Sequence, residues 1–300
     1  MRVVREGNGT QGMSRAQQER LAYIDFRLYF MGEVGRPDLV TRFGIAPAGA
    51  TRDLALYRKL VPANLEFDSS SKTYRIGANF VPLFEHQPQR VFSAISFGFG
   101  DGVGVGSQTL LPCETTAVLN NPCMSVVAPM CRAINLKRPV AIRYTSLSTG
   151  ESDRVIVPFA LVNSGLLWHI RAFDRKTSEF RDFVITRIDS PVLLEEESAL
   201  HERPENDIQW TRIVELELVP HPSQPRPEVV ARDFDMRNGT VVIKLRAAVA
   251  GYLLRCWAVD CSPQHSLRGD EYRLWLKDHL SLYGVKSATL APGYTLGLTG

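Results

Sequence analysis

Apolar residues in the first third of the chain recur at spacings of three and four, which predicts amphipathic helices. The first helix is predicted over Gln17–Met31, where the apolar positions share one face. A second, short helix is predicted over Pro37–Phe43, because proline suits a first helical turn and Gly44 can end the helix. A third is predicted over Ala50–Val61, ended by Pro62. Two short helices joined by a tight turn form a helix-turn-helix.

Two strand-like runs follow the third helix, Leu65–Phe67 and Thr73–Ile76, around the polar turn Asp68–Lys72. Helices followed by such a hairpin are typical of a winged helix that binds DNA, although any small three-helix bundle shows the same helical periodicity. In the winged-helix interpretation the third helix and the wing present polar, basic and aromatic side chains to DNA. The candidate DNA-binding residues are Thr51, Arg52, Tyr57, Arg58, Lys59, Lys72 and Arg75.

The central third alternates short β-rich runs with turn signals about every ten residues, which predicts a small barrel or sandwich. The runs are Val140–Tyr144, Arg154–Val157, Leu166–Ala172 and Phe180–Ile188.

Alternation within the run Leu166–Ala172 places Trp168 and Ile170 on one face, which we expect in the core. His169 and Arg171 share the other face and form a cationic surface that suits an anionic or nucleotide-like ligand. The alternative is that these two polar side chains are simply solvated.

The last third predicts a small α/β unit that follows a polar linker, Glu195–Asp207. Its predicted elements are the strands Val214–Val219, Val241–Arg246 and Tyr272–Leu276 and a helix over Ala247–Val259. The amphipathic elements suit either a self-contained core or a dimer surface. Trp257 and Trp275 are expected in the core.

Composition describes an ordinary globular protein of two or three domains, with 300 residues, 44% hydrophobic and 22% charged. The longest apolar run, Ala247–Leu254, is too short to cross a bilayer, and Met1–Gly12 lacks the apolar segment of a secretory signal, so we expect a cytoplasmic protein. Five cysteines form no CxxC pair and favour reduced thiols. The net charge is +3, and the excess lies in residues 1–80, with 12 Lys and Arg against 8 Asp and Glu.

No motif of a catalytic or cofactor-binding site emerges. The glycines of Phe97–Gly106 alternate and match no nucleotide-binding pattern, so this stretch is interpreted as a connector. The six histidines make no HExxH and no GxSxG is present, so we expect neither metal nor cofactor. An enzyme acting on nucleotides or nucleic acid through the His169/Arg171 face is the weaker hypothesis.

The segment Leu166–Ile188 resembles the signature of WYL-domain proteins, with Trp168-His169-Ile170 where the family usually has Trp-Tyr-Leu. The whole chain is similar to the BrxR/CapW group of bacterial defence-island regulators. Further supporting stretches are Ala50–Pro62, the wing strand Tyr74–Ile76, Ile142–Glu151 and Val157–Val162.

The resemblance implies a homodimeric repressor of a neighbouring anti-phage defence operon that binds an inverted-repeat operator on double-stranded DNA. It also implies derepression when a nucleotide or nucleic-acid-like ligand binds the WYL domain; an activator of the same architecture is the alternative. The family's polar pocket residues map onto Tyr144, Ser146, His169, Arg171, Arg181 and Arg187.

The predicted fold class is therefore α+β and multidomain. Residues 13–84 form a winged helix-turn-helix, and residues 85–138 a linker with a bridging helix. Residues 139–195 form a WYL β-barrel of the Sm/SH3-like kind. Residues 208–300 form a small C-terminal α/β extension for dimerisation.

Overall fold

A computed structural model describes residues 13–99, 110–113 and 121–295 of the chain. The chain divides into two compact units, Met1–Thr116 and Ala117–Gly300, each treated by itself below. The predicted N-terminal tail Met1–Gly12 and residues 100–106 of the predicted connector lie outside the described residues.

The first unit is a winged helix-turn-helix, and the α+β fold class is confirmed. Its three strands pair antiparallel in the order β1-β3-β2. The elements are α1 (Arg15–Phe26), β1 (Glu33–Val34), α2 (Arg36–Phe43), α3 (Pro47–Leu60), β2 (Leu65–Asp68), β3 (Thr73–Ile76) and α4 (Pro88–Phe97).

The predicted helical periodicity places the expected residues in the core, since Leu21, Ile24 and Leu28 are fully buried. Two boundaries differ. The first helix changes to a π-helical turn at Arg27–Met31, and α3 begins at Pro47, three residues before the predicted start, because proline fits the first helical turn.

The helix α4 lies in the stretch that the sequence assigned to a linker. Val91 and Ala94 of α4 pack with Phe26 of α1 in a small separate core. This helix therefore belongs to the first unit.

A buried carboxylate, Asp25 of α1, connects distant parts of the first unit. It accepts hydrogen bonds from the Tyr57 hydroxyl (2.5 Å), from the backbone N–H of Leu83 (3.0 Å) and Phe84 (3.4 Å), and pairs with Nε2 of His86 (2.8 Å). A buried carboxylate is stable only when such partners replace water. Asp25 therefore ties α1 to α3 and to the segment that follows the wing.

The second unit begins with helix α5 (Met124–Leu136) and an antiparallel sheet of order β7-β6-β5-β4-β8. Met130 and Ala133 of α5 pack on one face of this sheet. Two register shifts, between Pro158 and Ala160 and between Ala141 and Arg143, bend the strands as bulges do in small barrels. The strands are β4 (Val140–Ser146), β5 (Gly150–Asn163), β6 (Trp168–Asp174), β7 (Glu179–Val184) and β8 (Ile188–Leu193).

Trp168 corrects the sequence interpretation, which placed it in the core. It lies at the beginning of β6, opposite Asn163, and is 44% exposed. Ile170 and Ala172, further along the strand, occupy the core beneath α5 instead.

The C-terminal part is the predicted small α/β structure. Along β9 the apolar residues Val214, Leu216 and Leu218 are buried. Glu215 pairs with Lys244 of β10, and Glu217 pairs with Lys277, which follows β11. Trp257 was expected in the core but is exposed at the end of α8. The elements are α6 (Ile208–Thr211), β9 (Ile213–Pro220), α7 (Pro227–Asp233), β10 (Val241–Arg246), α8 (Ala247–Cys256) and β11 (Leu274–Leu276), with sheet order β10-β9-β11.

The polar run predicted as a linker is folded onto the rest of the unit. Glu202 is buried and pairs with Arg175, and Asp207 is buried and pairs with Arg171. Asp207 also caps α6, accepting the backbone N–H of Gln209 (3.0 Å).

We predict that Tyr57→Phe destabilises the first unit by about 1–3 kcal/mol, because Asp25 loses a donor and the Asn64 amide loses an acceptor. Urea unfolding followed by circular dichroism measures this change, and DNA affinity under folding conditions should be retained. Unchanged stability together with lost DNA affinity would contradict the structural role of Tyr57.

Candidate functional site

The helix-turn-helix presents an exposed, cationic side of α3. The turn between α2 and α3 begins at Gly44, whose left-handed backbone (φ 61°) ends α2. Thr51, Arg52, Arg58 and Lys59 are exposed on α3. Within the described part of the chain, the three basic residues form no ion pair, so their charges are available to an anionic partner.

Tyr57 has to be removed from the predicted DNA-contacting set. Its ring is fully buried and its hydroxyl binds Asp25. Burial is the main reason that the pKa of Tyr57 is raised, and the Asp25 charge adds to it. The residue holds α3 in place and does not reach the surface.

The wing lies beside α3 and encloses with it a cleft of about 450 Å³ lined by Ala55, Arg58, Lys59 and Tyr74. Lys72 is exposed in the wing turn, with a left-handed backbone (φ 58°). Arg75 is exposed but pairs with Asp68 (2.7 Å). Hydrogen bonds from Ser70 hold the pKa of Asp68 well below its ordinary value, so this carboxylate keeps its charge beside Arg75.

The face of β6 that was predicted to bind a ligand is buried and is not an open cationic surface. His169 and Arg171 share one face of β6, and both are 5% exposed. In the register of β6 with β7, Arg171 lies opposite Asp182 and His169 opposite Val184. The C-terminal part of the same unit covers this face.

Arg171 is held by two acidic residues. Its Nε and Nη2 donate to the two carboxylate oxygens of Asp207 (2.8 and 3.1 Å), and Nη1 lies 3.2 Å from Asp182. Burial acts to lower the pKa of Arg171, but the bonds to Asp207 and Asp182 outweigh it and raise the pKa. The positive charge is therefore permanent and already neutralised. We call Arg171, Asp182 and Asp207 the arginine clamp.

His169 lies next to this clamp and beneath α8. Its ring centre is 5.0 Å from that of Tyr252, whose hydroxyl donates to Asp182 (3.1 Å). Among the described residues, Nδ1 of His169 has no hydrogen-bond partner although it is buried. Burial lowers the pKa of His169, and the nearby Asp182 charge opposes that shift. His169 is therefore neutral at pH 7.

The other predicted ligand residues divide into two groups. Tyr144 is buried and accepts a hydrogen bond from the backbone N–H of Val184 (3.3 Å), and Arg187 is near enough to His169 to lower its pKa. Arg181 lies opposite Ala172, on the reverse face from Arg171, and pairs with Glu179. Ser146 lies at the far end of β4 and bonds to Ser148. The structure thus gathers four of the six residues.

Sequence reasoning missed Asp182, Asp207 and Tyr252. Asp182 follows from the strand pairing of β6 with β7, once the register is known. Asp207 lies 36 residues from Arg171 and Tyr252 70 residues from Asp182. No local pattern indicates either contact.

A hydrogen-bonded set of side chains in the C-terminal part resembles a catalytic triad and consists of Ser223, His221 and Asp260. His221 Nδ1 accepts the backbone N–H of Ser223 (3.1 Å) and contacts its hydroxyl (2.7 Å), which is the geometry of a local turn. Asp260 also accepts the backbone N–H of Ser262 and Leu267. His221 and Asp260 are fully buried. These hydrogen bonds therefore connect the turns beside the C-terminal sheet, which is a structural role.

The described residues contain no group of three His, Cys, Asp or Glu side chains placed to hold a metal ion. Within the same residues, no helix has both the length and the apolar character that crossing a membrane requires.

Three family models match the chain in sequence order. They describe the BrxR transcriptional regulator winged helix-turn-helix domain (residues 16–94), the WYL domain (125–193) and the BrxR transcriptional regulator C-terminal dimerization domain (213–282).

Relatives named DNA-binding transcriptional repressor CapW are similar over most of their length. The protein of Escherichia coli (strain KTE188) is 32% identical over 257 residues, which cover 82% of this chain and 84% of the relative. That of Pseudomonas aeruginosa is 31% identical over 260 residues, with 82% and 84% covered. That of Stenotrophomonas maltophilia is 31% identical over 258 residues, with 83% and 86% covered.

Among solved structures, the proteasome accessory factor B/C of Arthrobacter aurescens aligns at 17% identity over 92% of this chain and 46% of that one. The TM-score of 0.26 is too low for a structural argument.

The buried, neutral His169 predicts a pH dependence. Its folded-state pKa lies below the ordinary value of about 6.5, so the unfolded chain takes up the proton more readily. This residue therefore costs stability as the pH falls below about 6.5. Between pH 7.5 and 5.5, the melting temperature should fall further in the wild type than in His169→Gln, measured by differential scanning fluorimetry. Equal losses in the two proteins would contradict the assignment.

Proposed function

The chain belongs to the BrxR/CapW family of transcriptional regulators, and from that premise we propose that it is a homodimeric DNA-binding repressor of a neighbouring anti-phage defence operon. The observation that carries the proposal is the exposed cations of α3, which pair with no acidic residue among those that the structure describes. A helix-turn-helix lays its second helix in the major groove, where such side chains meet base edges and phosphates.

Arg52 is the residue best placed for base edges, because it lies in the first half of α3, the part of a recognition helix that enters the groove. Arg58 and Lys59, at the other end of α3, face the cleft beside the wing and suit phosphates. Lys72 in the wing turn adds a further phosphate contact. Arg75 contributes less, since Asp68 already neutralises it.

A homodimer accounts for operator symmetry. The C-terminal family model carries the description of a dimerization domain, and two winged helices related by a two-fold axis would bind an inverted repeat.

Ligand sensing would act through the arginine clamp. An anionic ligand such as a nucleotide or a nucleic-acid fragment must compete with Asp207 and Asp182 for Arg171. Asp207 also caps α6. Gln209 of α6 and Arg212, which directly follows α6, donate to the backbone carbonyls of Gly284 (3.0 Å) and Tyr283 (2.8 Å). Displacing Asp207 would therefore loosen the WYL sheet from the C-terminal part, and we propose this as the step that releases the operator.

Arg52→Ala is expected to weaken binding to the DNA upstream of the gene by about fivefold to 150-fold, as loss of a base contact worth about 1–3 kcal/mol implies. Fluorescence anisotropy with labelled duplex measures the change. Arg232→Ala in α7 is the matched control, because it removes the same charge from an exposed site of the second unit.

Binding that survives Arg52→Ala, or an equal loss in Arg232→Ala, would count against α3 as the recognition helix. A wild-type protein without preference for the upstream fragment over random duplex would refute the proposed function. A reporter fused to the neighbouring operon should become more active when this gene is deleted, whereas an activator would give the opposite change.

The sensing proposal predicts that Arg171→Lys binds the operator more weakly than the wild type without any anion and no longer responds to anions, because lysine cannot form the two-pronged bond to Asp207 or to phosphate. The probes are ATP and a short single-stranded DNA, added to the protein–operator complex. At least one probe should release the wild type. His169→Gln serves as a second variant should Arg171→Lys unfold. If the probe concentration that releases the wild type from the operator also releases both variants, the sensing role is contradicted.

A further inference from the structure

The wing carries an exposed aromatic residue, Phe67, that the fold itself does not explain. Phe67 lies on β2 opposite Tyr74, and the two ring centres are 5.1 Å apart. Leu65, two residues earlier on the same side of the strand, is buried in the core of the first unit. Phe67 extends beyond that core and is 52% exposed.

Single exposed apolar residues are common on protein surfaces, so the surroundings of Phe67 decide its meaning. Tyr74, which contacts Phe67, lines the cleft of about 450 Å³ between the wing and α3. Arg58 and Lys59 line the same cleft and form no ion pair within the described part of the chain. Tyr74 therefore connects the exposed ring of Phe67 to a cleft that carries two cations, neither of which pairs with an acidic residue of the described chain.

Duplex DNA has the complementary chemistry. Its backbone alternates anionic phosphates with deoxyriboses whose C–H groups are apolar, and wings that reach the minor groove meet both. Proteins that contact this groove frequently use apolar side chains beside basic ones.

We propose that Phe67, supported by Tyr74, makes an apolar contact with deoxyribose at the minor-groove edge of the operator, next to phosphates held by Arg58 and Lys59. This inference rests on the proposed DNA-binding function and adds a contact that is not ionic. The wing would then contribute a part of the DNA affinity that does not depend on salt concentration.

The test compares Phe67→Ser with Arg58→Ala by fluorescence anisotropy on the upstream DNA over a series of KCl concentrations. Each lost phosphate contact should reduce the slope of log affinity against log salt by about 0.9. Arg58→Ala is expected to reduce the slope by about that amount. Phe67→Ser is expected to weaken binding about five- to tenfold at every salt concentration and to leave the slope unchanged, because the lost term is apolar area.

Phe92→Ser is the matched control, since Phe92 is a more exposed phenylalanine of the same unit and lies on α4, outside the cleft. It should bind DNA like the wild type. Phe67→Leu keeps apolar surface and should restore most of the affinity, which separates a DNA contact from damage to the hairpin.

Wild-type affinity in Phe67→Ser, with Arg52→Ala still impaired, would overturn this inference and leave the proposed function intact. A loss of equal size in Phe67→Leu, or a reduced salt slope in Phe67→Ser, would also overturn it. Failure of the wild type to prefer the upstream DNA would instead refute the proposed function.

Discussion

A charged guanidinium can be buried only where carboxylates pair with it. The second unit depends on how this constraint is met at Arg171. Asp182 reaches it from the neighbouring strand, whereas Asp207 comes from beyond the β-sheet. Breaking such a buried pair by removing one partner typically costs about 3–5 kcal/mol. The polar stretch before α6 must therefore fold back onto β6, and α6 then carries the C-terminal sheet with it. The Arg171–Asp207 pair thus fixes the place where β6 and the C-terminal part of the unit meet.

The first unit follows the same rule with a different group. Asp25 is buried in the middle of the winged helix and is satisfied by Tyr57, by two backbone N–H groups and by His86. The bond from Tyr57 to Asp25 consequently holds the buried side of α3 against α1. The exposed cations of α3 therefore have a defined orientation. A rigid recognition helix is a condition for reading base edges, since misplaced donors cannot select a base.

Periodicity predicted the helices of the winged helix, the wing and the strands of the C-terminal sheet, because spacing alone decides which side of an element is apolar. It could not predict what covers the polar side. Tyr57 was assigned to the DNA-contacting set although periodicity places it on the inner side of the third helix with Leu54 and Val61, and its partner Asp25 lies 32 residues earlier. The cationic face of β6 looked open because its acid, Asp207, lies 36 residues later in a run that resembles a linker. Trp168 looked buried because alternation does not show where along β6 the core ends.

The most direct test of the account is a hydroxyl-radical footprint of the protein on the DNA upstream of its gene. A dimer of winged helices should protect two patches related by a two-fold axis, with recognition helices about 34–36 Å, or a multiple of that distance, apart. Such symmetric protection is the predicted result. A single asymmetric patch would contradict this claim. So would upstream DNA that is protected only at protein concentrations that also protect random DNA.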